Sequence, residues 1–360
     1  MTIRVVSLPG DGVGVEVTAQ AVAVLRAVTT AAGIDLAVEE HLIGGHAIDE
    51  TGVPLPEETL AACRNADAVL LGAVGGPKWD HLSGALRCES GLLGLRAGLR
   101  VFANLRPVRV HPRLADHTVL RPEVVQGVDL VVVRELTGGA YFGEPKRRDH
   151  QSAVDTIAYS RYEIERVARV AFALAAQRRC RVASVDKANV LATSGLWRET
   201  VTALAPEFPD VALEHALVDS FAMRLMQRPA DIDVVVTENL FGDILSDEAA
   251  VLAGSLGLLP SASLGESGPG LYEPVHGSAP EIAGQNRANP YGAILSVALM
   301  LRHSLGQPAL AEAVEAAVDA CIDAGVLTAD VGGEAGTAEA GEAVVAAVSR
   351  QLRARVGAPS

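Results

Sequence analysis

The stretch from Ile232 to Ala250 joins a strand pattern directly to a helix pattern. Its β-branched run Val234, Val235 and Val236 predicts a buried strand, and the residues from about Leu240 onward have helical spacing. Apolar strand patterns alternate with helical segments along most of the chain. Such alternation is typical of helices packed on a largely parallel sheet, so the sequence predicts an α/β fold.

Two aspartates, Asp243 and Asp247, lie four residues apart in this helix pattern. Side chains at that spacing share one helix face, where two like charges weaken an isolated helix by about 0.2–0.5 kcal/mol. The pair follows the carboxyl end of a buried strand, where open α/β sheets bind their ligands. Oxygen-only ligands favour Mg²⁺ or Mn²⁺ over zinc. The pair therefore indicates a metal site, with a solvated helix face as the alternative.

The size and charge of the chain limit the classes of function. Its 360 residues predict about two domains, and the 49% apolar and 21% charged composition is typical of a folded globular protein. A formal charge of -14 argues against non-specific nucleic-acid binding. It leaves an anionic substrate possible, because local arginines can set the field of a pocket.

The N-terminal sequence and the cysteines bear on the compartment. We expect no signal peptide and no membrane span, because no basic segment precedes an apolar one and no long apolar run occurs. The four cysteines lack metal-binding or disulfide spacing and are expected to be reduced thiols of a cytoplasmic protein: Cys63, Cys88, Cys180 and Cys321.

Several glycine-rich and proline-rich segments carry local predictions. PGDGVG has a G-x-G-x-G spacing that only loosely matches a dinucleotide fingerprint, so a tight strand-to-helix turn is favoured over phosphate binding. Pro107 is expected to interrupt a strand, and residues Ala153 to Tyr159 are expected to form one. LGLLPSASL and YEPVHGSAPEIAG are interpreted as ligand-handling loops.

Arginine, tyrosine, lysine and aspartate side chains near predicted strand ends are candidates for chemistry. A guanidinium group can hold a carboxylate through two charge-assisted hydrogen bonds, although arginines are usually solvated. Tyr141 and Lys187 are candidates for proton transfer, with a packed hairpin aromatic and an exposed strand end as their alternatives. Asp219 is a possible metal ligand or a helix N-cap. The arginines are Arg96, Arg106 and Arg134.

Five motifs carry a family resemblance: LPGDGVG, LGAVGGPKW, LFGDILSDEAA, SLGLLPSASLG and EPVHGSAPEIAG. Their order across nearly the whole chain resembles the β-decarboxylating dehydrogenases that act on isopropylmalate, isocitrate and related 2-hydroxy acids. The resemblance implies a two-domain fold of the isocitrate/isopropylmalate dehydrogenase type. Its first domain would be discontinuous, residues 1–101 and 254–360, with a non-Rossmann dinucleotide site. Residues 102–253 would bind substrate and metal and form a homodimer.

The same resemblance implies residue roles. Arg96, Arg106 and Arg134 would bind the malate carboxylates of the substrate. Asp243 and Asp247, with Asp219 of the partner subunit, would hold Mg²⁺ or Mn²⁺. Tyr141 and Lys187, the latter acting in the partner subunit's site, would be the acid and base residues. Each active site would therefore be shared across the homodimer.

Substrate choice is expected to depend on a short helical segment. Leu92 and Leu93, with Val190 of the partner subunit, would form an apolar wall for an isopropyl group, unless the leucines are core residues. Glu89 would repel a third carboxylate at the same place. These residues favour 3-isopropylmalate over isocitrate.

The cofactor is expected to lie along the loop from Glu273 to Asn289. Glu281 would meet the adenosine ribose and repel the extra phosphate of NADP, which favours NAD. Glu281 replaces a more usual aspartate, and Val15 stands where relatives commonly carry proline. The remaining residues implied to line the adenosine side are His276, Gly277, Ser278 and Ala279.

The expected reaction is oxidation of isopropylmalate followed by loss of CO₂, giving 4-methyl-2-oxopentanoate for leucine biosynthesis. Lys187 would take the hydroxyl proton, and Tyr141 would supply the final proton. Three alternatives remain at this point: the same chemistry on tartrate or malate, magnesium-dependent phosphoryl transfer, and nucleotide binding without catalysis. Phosphoryl transfer is disfavoured because no G-x-x-x-x-G-K-[ST] loop is present.

Overall fold

The fold is taken from a computed structural model of the chain that describes residues 2–356. Residue 1 and residues 357–360 of the predicted first domain lie outside the described residues. The strands, β1 to β12 in chain order, are Ile3–Gly10, Leu36–Glu40, Ala68–Ala73, Ala103–Arg109, Asp129–Glu135, Arg147–Arg148, Ala153–Val154, Arg181–Asp186, Ala212–Leu217, Val234–Thr237, Pro260–Leu264 and Gly270–Pro274. The alternation of these strands with helices confirms the predicted α/β class.

The helices, α1 to α12 in chain order, are Gly14–Ala31, Gly44–Thr51, Glu57–Asn65, Cys88–Leu99, Pro122–Val125, Arg161–Ala176, Ala192–Leu204, Val218–Gln227, Asn239–Ala250, Tyr291–His303, Pro308–Asp323 and Thr337–Val356. Contacts divide the chain into two compact units. The first unit joins the residues up to Val101 to those from Ser255 onward, and the second is Phe102–Gly254.

The first unit contains a sheet with the strand order β2-β1-β3-β12-β11. β1 runs parallel to both β2 and β3, β12 runs parallel to β3, and β11 is antiparallel to β12. α10 packs against β11, β12 and the neighbouring helices α1 and α11. Because α10 is covered in this way, most of its side chains are buried, including Ile294, Val297 and Met300.

The second unit contains a sheet with the strand order β4-β5-β10-β8-β9. β4 and β5 are antiparallel, while β5, β10, β8 and β9 run parallel to one another. In parallel strands the carboxyl ends meet at one edge of the sheet, where ligands bind. Arg134 lies near the end of β5, Asn239 follows β10, and Lys187 follows β8. The fold therefore brings three polar positions that are distant in sequence to one edge.

Three local predictions differ from the structure, and one helix has no sequence prediction. Pro107 does not interrupt β4, because it lies opposite Val131 in a ladder that continues on both sides of it. The strand predicted from Ala153 to Tyr159 is only β7, two residues paired with β6. Of the two segments interpreted as loops, the first contains β11 and the second begins with the last three residues of β12. α10 was not predicted, because an all-round apolar segment has no amphipathic period to recognise.

Within residues 2–356, no helix combines the length and the hydropathy that a membrane crossing requires.

Candidate active site

An acid–arginine cluster lies in the second unit and comprises Arg106, Arg134, Tyr141, Asp243 and Asp247. Asp243 accepts hydrogen bonds from Nη1 of Arg134 and, at 2.5 Å, from the hydroxyl of Tyr141. Nη1 of Arg106 donates to Oδ1 of Asp247 at 3.0 Å, and its Nη2 lies 3.8 Å from Asp243. Guanidinium groups thus offset the repulsion between the two carboxylates on one face of α9. The structure brings these five predicted site residues together.

The two sides of this cluster differ in exposure. The Arg134 side chain is 5% exposed, whereas those of Asp243 and Asp247 are 33% and 70% exposed. Burial raises the pKa of Tyr141, and its hydrogen bond to Asp243 raises it further. Tyr141 is therefore a protonated hydroxyl at neutral pH in this arrangement, which suits a proton donor.

Lys187 and Asp219 form a second pair in the same unit. Nζ of Lys187 donates to Oδ1 of Asp219 at 2.6 Å, and this hydrogen bond lowers the pKa of Asp219. Leu217 is the N-cap of α8 and Asp219 lies in the first turn, so the interpretation of Asp219 as an N-cap is wrong. Asp219 is thus free of a capping role, and its carboxylate faces the lysine.

The carboxylates in this unit have donor chemistry that suits a hard cation. Asp243 and Asp247 offer only oxygen atoms, share one helix face, and are partly exposed. Among the described residues, no group of three acid, histidine or cysteine side chains is gathered at one point of a single chain. Two carboxylates of one chain fit part of a Mg²⁺ or Mn²⁺ coordination shell.

The predicted site residues of the first unit lie on α4 and β12. Nη2 of Arg96 donates to Oε1 of Glu273 at 2.6 Å, while Nε of Arg96 is buried without a hydrogen-bond partner. Glu89 is exposed and paired with Arg87 at 3.3 Å. Leu93 is exposed on the side of α4 away from its buried residues, whereas Leu92 is half-buried and shares the face of Cys88 and Leu95. Leu93 is therefore not a core residue. In the second unit, Val190 is 69% exposed, which excludes a core role there too.

The loop from Val275 to Asn289 follows β12 in the first unit. Nδ1 of His276 bonds the carbonyl oxygen of Gly277 at 2.8 Å, while Nε2 is buried without a hydrogen-bond partner. Burial lowers the pKa of His276, so the ring is neutral at neutral pH. An unpartnered buried nitrogen is expected where a ligand supplies the missing bond. Glu281 is exposed, as a carboxylate that meets a ligand would have to be.

The other residues of this loop have more structural contacts. The carbonyl oxygen of Ser278 accepts from the amide of Val13 at 2.8 Å. Ala279 has a left-handed φ of 37°. Nδ2 of Asn289 donates to Oδ2 of Asp330 at 3.0 Å, so its amide is already engaged. Gly277 faces open space at its Cβ position. The loop fits a ligand on the His276 and Glu281 side better than at Asn289.

The PGDGVG segment is a turn built around Asp11. Asp11 is fully buried, and its carboxylate accepts the amides of Gly45, His46 and Gly75 at 2.7, 2.9 and 2.7 Å. A Cβ on Gly12 would lie 2.0 Å from the carbonyl oxygen of Ser278, and its φ is 57°. The predicted tight strand-to-helix turn is therefore confirmed.

Sequence reasoning missed residues that hold the candidate side chains in place. Asn239 accepts from Arg134, and Asn104 accepts from Arg106. Asp186 directly precedes Lys187, accepts the amide of Ala188 at 2.9 Å, and is bound by two nitrogens of Arg198. The sequence marks Asn104, Asp186 and Asn239 only by their position, because each lies within four residues of a candidate site residue.

An α/β fold with acidic, basic and tyrosine side chains at the carboxyl ends of its strands is that of an enzyme acting on a small molecule. The chain matches the isocitrate/isopropylmalate dehydrogenase family over residues 4–344, and it belongs to that family.

Proteins of known name and structure agree with this assignment. The chain is 61% identical to 3-isopropylmalate dehydrogenase of Anaeromyxobacter dehalogenans, over 94% of this chain and 97% of the relative. It is 60% identical to the Geobacillus kaustophilus protein of the same name, over 91% and 90%. A β-decarboxylating dehydrogenase structure from Thermococcus kodakarensis, solved without ligand, has a TM-score of 0.84 at 38% identity, over 99% of both chains. Isocitrate dehydrogenase from Methylococcus capsulatus has a TM-score of 0.84 at 35% identity, over 96% and 99%.

Proposed function

We propose that the chain catalyses the NAD-dependent oxidative decarboxylation of (2R,3S)-3-isopropylmalate to 4-methyl-2-oxopentanoate and CO₂, a step of leucine biosynthesis. The observation that carries this proposal is the 61% identity, over 94% of the chain, to a protein named 3-isopropylmalate dehydrogenase. The acid–arginine cluster supports it, because its groups are those that a dianionic hydroxy acid beside a hard cation requires.

Arginine side chains bind the carboxylates of the substrate. Arg106 and Arg134 are largely buried and lie on neighbouring strands, so their guanidinium groups have fixed positions. Arg96 is the proposed third carboxylate ligand. Leu92, Leu93 and Val190 of the partner subunit contact the isopropyl group, and Glu89 disfavours a carboxylate there.

Two residues move protons. Lys187 of the partner subunit, as a neutral amine, accepts the proton of the C2 hydroxyl while C2 gives up its hydride. The bond to the departing CO₂ then breaks, and its electron pair remains on C3, which Tyr141 protonates. Nζ of Lys187 donates to Asp219 at 2.6 Å in the free chain, which orients the lysine before substrate arrives, and the lysine acts as a base only once it has lost its extra proton.

The chemistry would be completed by two bound groups, NAD as the hydride acceptor and Mg²⁺ or Mn²⁺ as a charge that would stabilise the developing negative charge of the substrate. Asp243 and Asp247, with Asp219 of the partner subunit, hold the cation. Glu273, His276, Glu281 and the loop that joins them hold NAD, together with Gly277, Ser278, Ala279 and Asn289. The exposed Glu281 carboxylate disfavours NADP by charge repulsion.

A homodimer is proposed on the apolar surface of the second unit. Met223 on α8 and Ile244 on α9 are 59% and 58% exposed, and Val251 follows α9 with 42% exposure. α8 and α9 pack against each other, so these side chains belong to one pair of helices. Exposed apolar groups of this kind mark protein interfaces. We place the enzyme in the cytoplasm, where its free thiols stay reduced.

The test is NADH absorbance on adding 3-isopropylmalate, NAD and Mg²⁺ to the purified chain, repeated with isocitrate, malate and tartrate and with NADP. We expect turnover with isopropylmalate and NAD to exceed every other combination. Faster turnover of isocitrate or malate would overturn the substrate assignment. Light scattering of the same sample measures the mass of the assembly, and a monomer that is fully active would overturn the shared site.

A further inference from the structure

Asn239 contacts three elements that carry residues of the acid–arginine cluster. Its side-chain Oδ1 accepts from Nε of Arg134 at 3.1 Å and from Nη2 at 2.8 Å. Its Nδ2 donates to the carbonyl oxygen of Gly138 at 3.1 Å, in the turn that leads to Tyr141. Asn239 is itself the first residue of α9, which carries Asp243. Asn239 is 1% exposed, so it is a buried residue that joins the strand of Arg134, the turn before Tyr141 and helix α9.

Asn104 stands in a similar relation to the second arginine. It is fully buried on β4, and its Oδ1 accepts from Nε of Arg106 at 3.0 Å. Asn104 lies opposite Arg134 in the antiparallel register, and Arg106 is two residues further along β4. Alternate residues of a strand share one face, so both arginines and Asn104 lie on the same face of the β4–β5 pair.

Two arginines outside the cluster are held differently. Arg178 donates from Nε to the fully buried Asp233 at 2.8 Å, and Arg198 donates from two nitrogens to the buried Asp186. A carboxylate partner cancels most of the charge of a guanidinium group at short range, while an amide oxygen fixes its direction and leaves the charge. In the acid–arginine cluster, Nε of Arg134 and Nε of Arg106 each donate to the uncharged amide oxygen of an asparagine. Carboxylates that bond these two arginines include the partly exposed Asp243 and the exposed Asp247 of α9.

We propose that Asn239 and Asn104 are positioning residues that orient Arg134 and Arg106 through uncharged oxygens. The carboxylates that these two arginines contact, Asp243 and Asp247, are the ones assigned to the cation, so a bound cation would offset their charge and leave both arginines to a dicarboxylate substrate. This inference rests on the proposed function for the identity of that substrate. Asn239 also connects Arg134 to the Tyr141 turn, so it couples carboxylate binding to the position of the proton donor.

The experiment compares Asn239→Asp and Asn104→Asp with the wild-type chain. Each substitution keeps an oxygen for the arginine and adds one negative charge beside it. We expect KM for 3-isopropylmalate, and its Kd measured calorimetrically with Mg²⁺ and without NAD, to rise about 10- to 100-fold in each variant. We expect kcat to fall further for Asn239→Asp, because Gly138 loses its donor there. Asn65→Asp, an exposed position at the end of α3, adds the same charge and should leave KM, Kd and kcat unchanged.

A purely structural role gives a different result. If Asn239→Asp and Asn104→Asp lower the melting temperature but leave KM and Kd within twofold of wild type, the inference is overturned. Should one aspartate variant fail to fold, the other, with the same change of charge at the other arginine, decides. The proposed function fails separately: wild-type protein that binds malate or isocitrate but not isopropylmalate refutes the substrate, and the same Kd comparison with the acid that does bind still tests the asparagines.

Discussion

Asp11 and Asp243 both follow a strand of a parallel sheet, yet their surroundings differ. Asp11 in the first unit is fully buried and accepts three backbone amides. Asp243 in the second unit is one-third exposed and accepts from the side chains of Arg134 and Tyr141. Backbone amides cannot leave a carboxylate without local unfolding, whereas side chains can rotate away when a ligand arrives. Asp11 therefore maintains the fold, and Asp243 is available to a ligand.

The largest effect is expected from Lys187, whose partner Asp219 is also a side chain that can rotate away when a ligand arrives. Lys187→Ala should lower kcat for NADH formation by about 10²- to 10⁴-fold, because the C2 hydroxyl loses its proton acceptor. The melting temperature should change little, since Lys187 contacts the exposed Asp219.

Lys78→Ala is a matched control for this variant. Lys78 also pairs with an aspartate, Asp49, at 2.6 Å, but on the surface of the first unit. Its removal should leave kcat unchanged. A well-folded Lys187→Ala enzyme with wild-type turnover would refute the role given to the lysine.

Asp11→Ala tests the other side of the comparison. The amides of Gly45, His46 and Gly75 lose their acceptor, and each buried unsatisfied amide costs about 1–3 kcal/mol. We expect the free energy of unfolding, measured by urea titration, to fall by about 3 kcal/mol or more. An Asp11→Ala protein as stable as wild type would mean that the hydrogen bonds from backbone amides to Asp11 do not maintain the fold.

Asp243→Asn should lower activity strongly and stability little, which is the reverse of the effect expected for Asp11→Ala. Removal of one anionic oxygen is expected to lower kcat by about 100-fold and to raise the Mg²⁺ concentration needed for half-maximal activity, while unfolding in urea changes little. Metal dependence is measured by titrating Mg²⁺ into chelator-treated enzyme. Wild-type activity that persists in excess chelator would contradict a metal site at Asp243.

The smallest effect concerns cofactor choice. Glu281→Gln removes a negative charge from an exposed position of the loop after β12, so discrimination against NADP should weaken by about 5- to 10-fold. The ratio of kcat/KM for NAD and NADP measures this change. A ratio equal to that of wild type would place the ribose contact at another residue.

Much of the fold could be predicted because the strand and helix periods are strong. The strand from Val234 and the helix that follows it differ from their predicted positions by about one residue at the junction. The missed elements lacked such periods. β11 and β12 are rich in glycine, proline and serine, and α10 is apolar on all sides because other elements cover it.

The candidate site was predicted where side-chain chemistry alone marks a residue. The spacing of Asp243 and Asp247 indicated a shared helix face, and both lie in the acid–arginine cluster. Asn239 could not be found in this way, because its contact with Arg134 spans 105 positions of the sequence. Only the pairing of β10 with β5 brings the two side chains together. The roles given to the two units, and to their individual residues, stay predictions.

The discontinuity of the first unit has a consequence for synthesis on the ribosome. β3 pairs with β12, and α1 packs against α12, yet these partners are translated after the whole of Phe102–Gly254. The continuous second unit therefore emerges complete while the nascent N-terminal segment still lacks two of the five strands of its own sheet. Its unpaired β3 edge and the apolar side of α1 remain exposed during elongation, which makes this segment the natural client of chaperones that bind newly made chains.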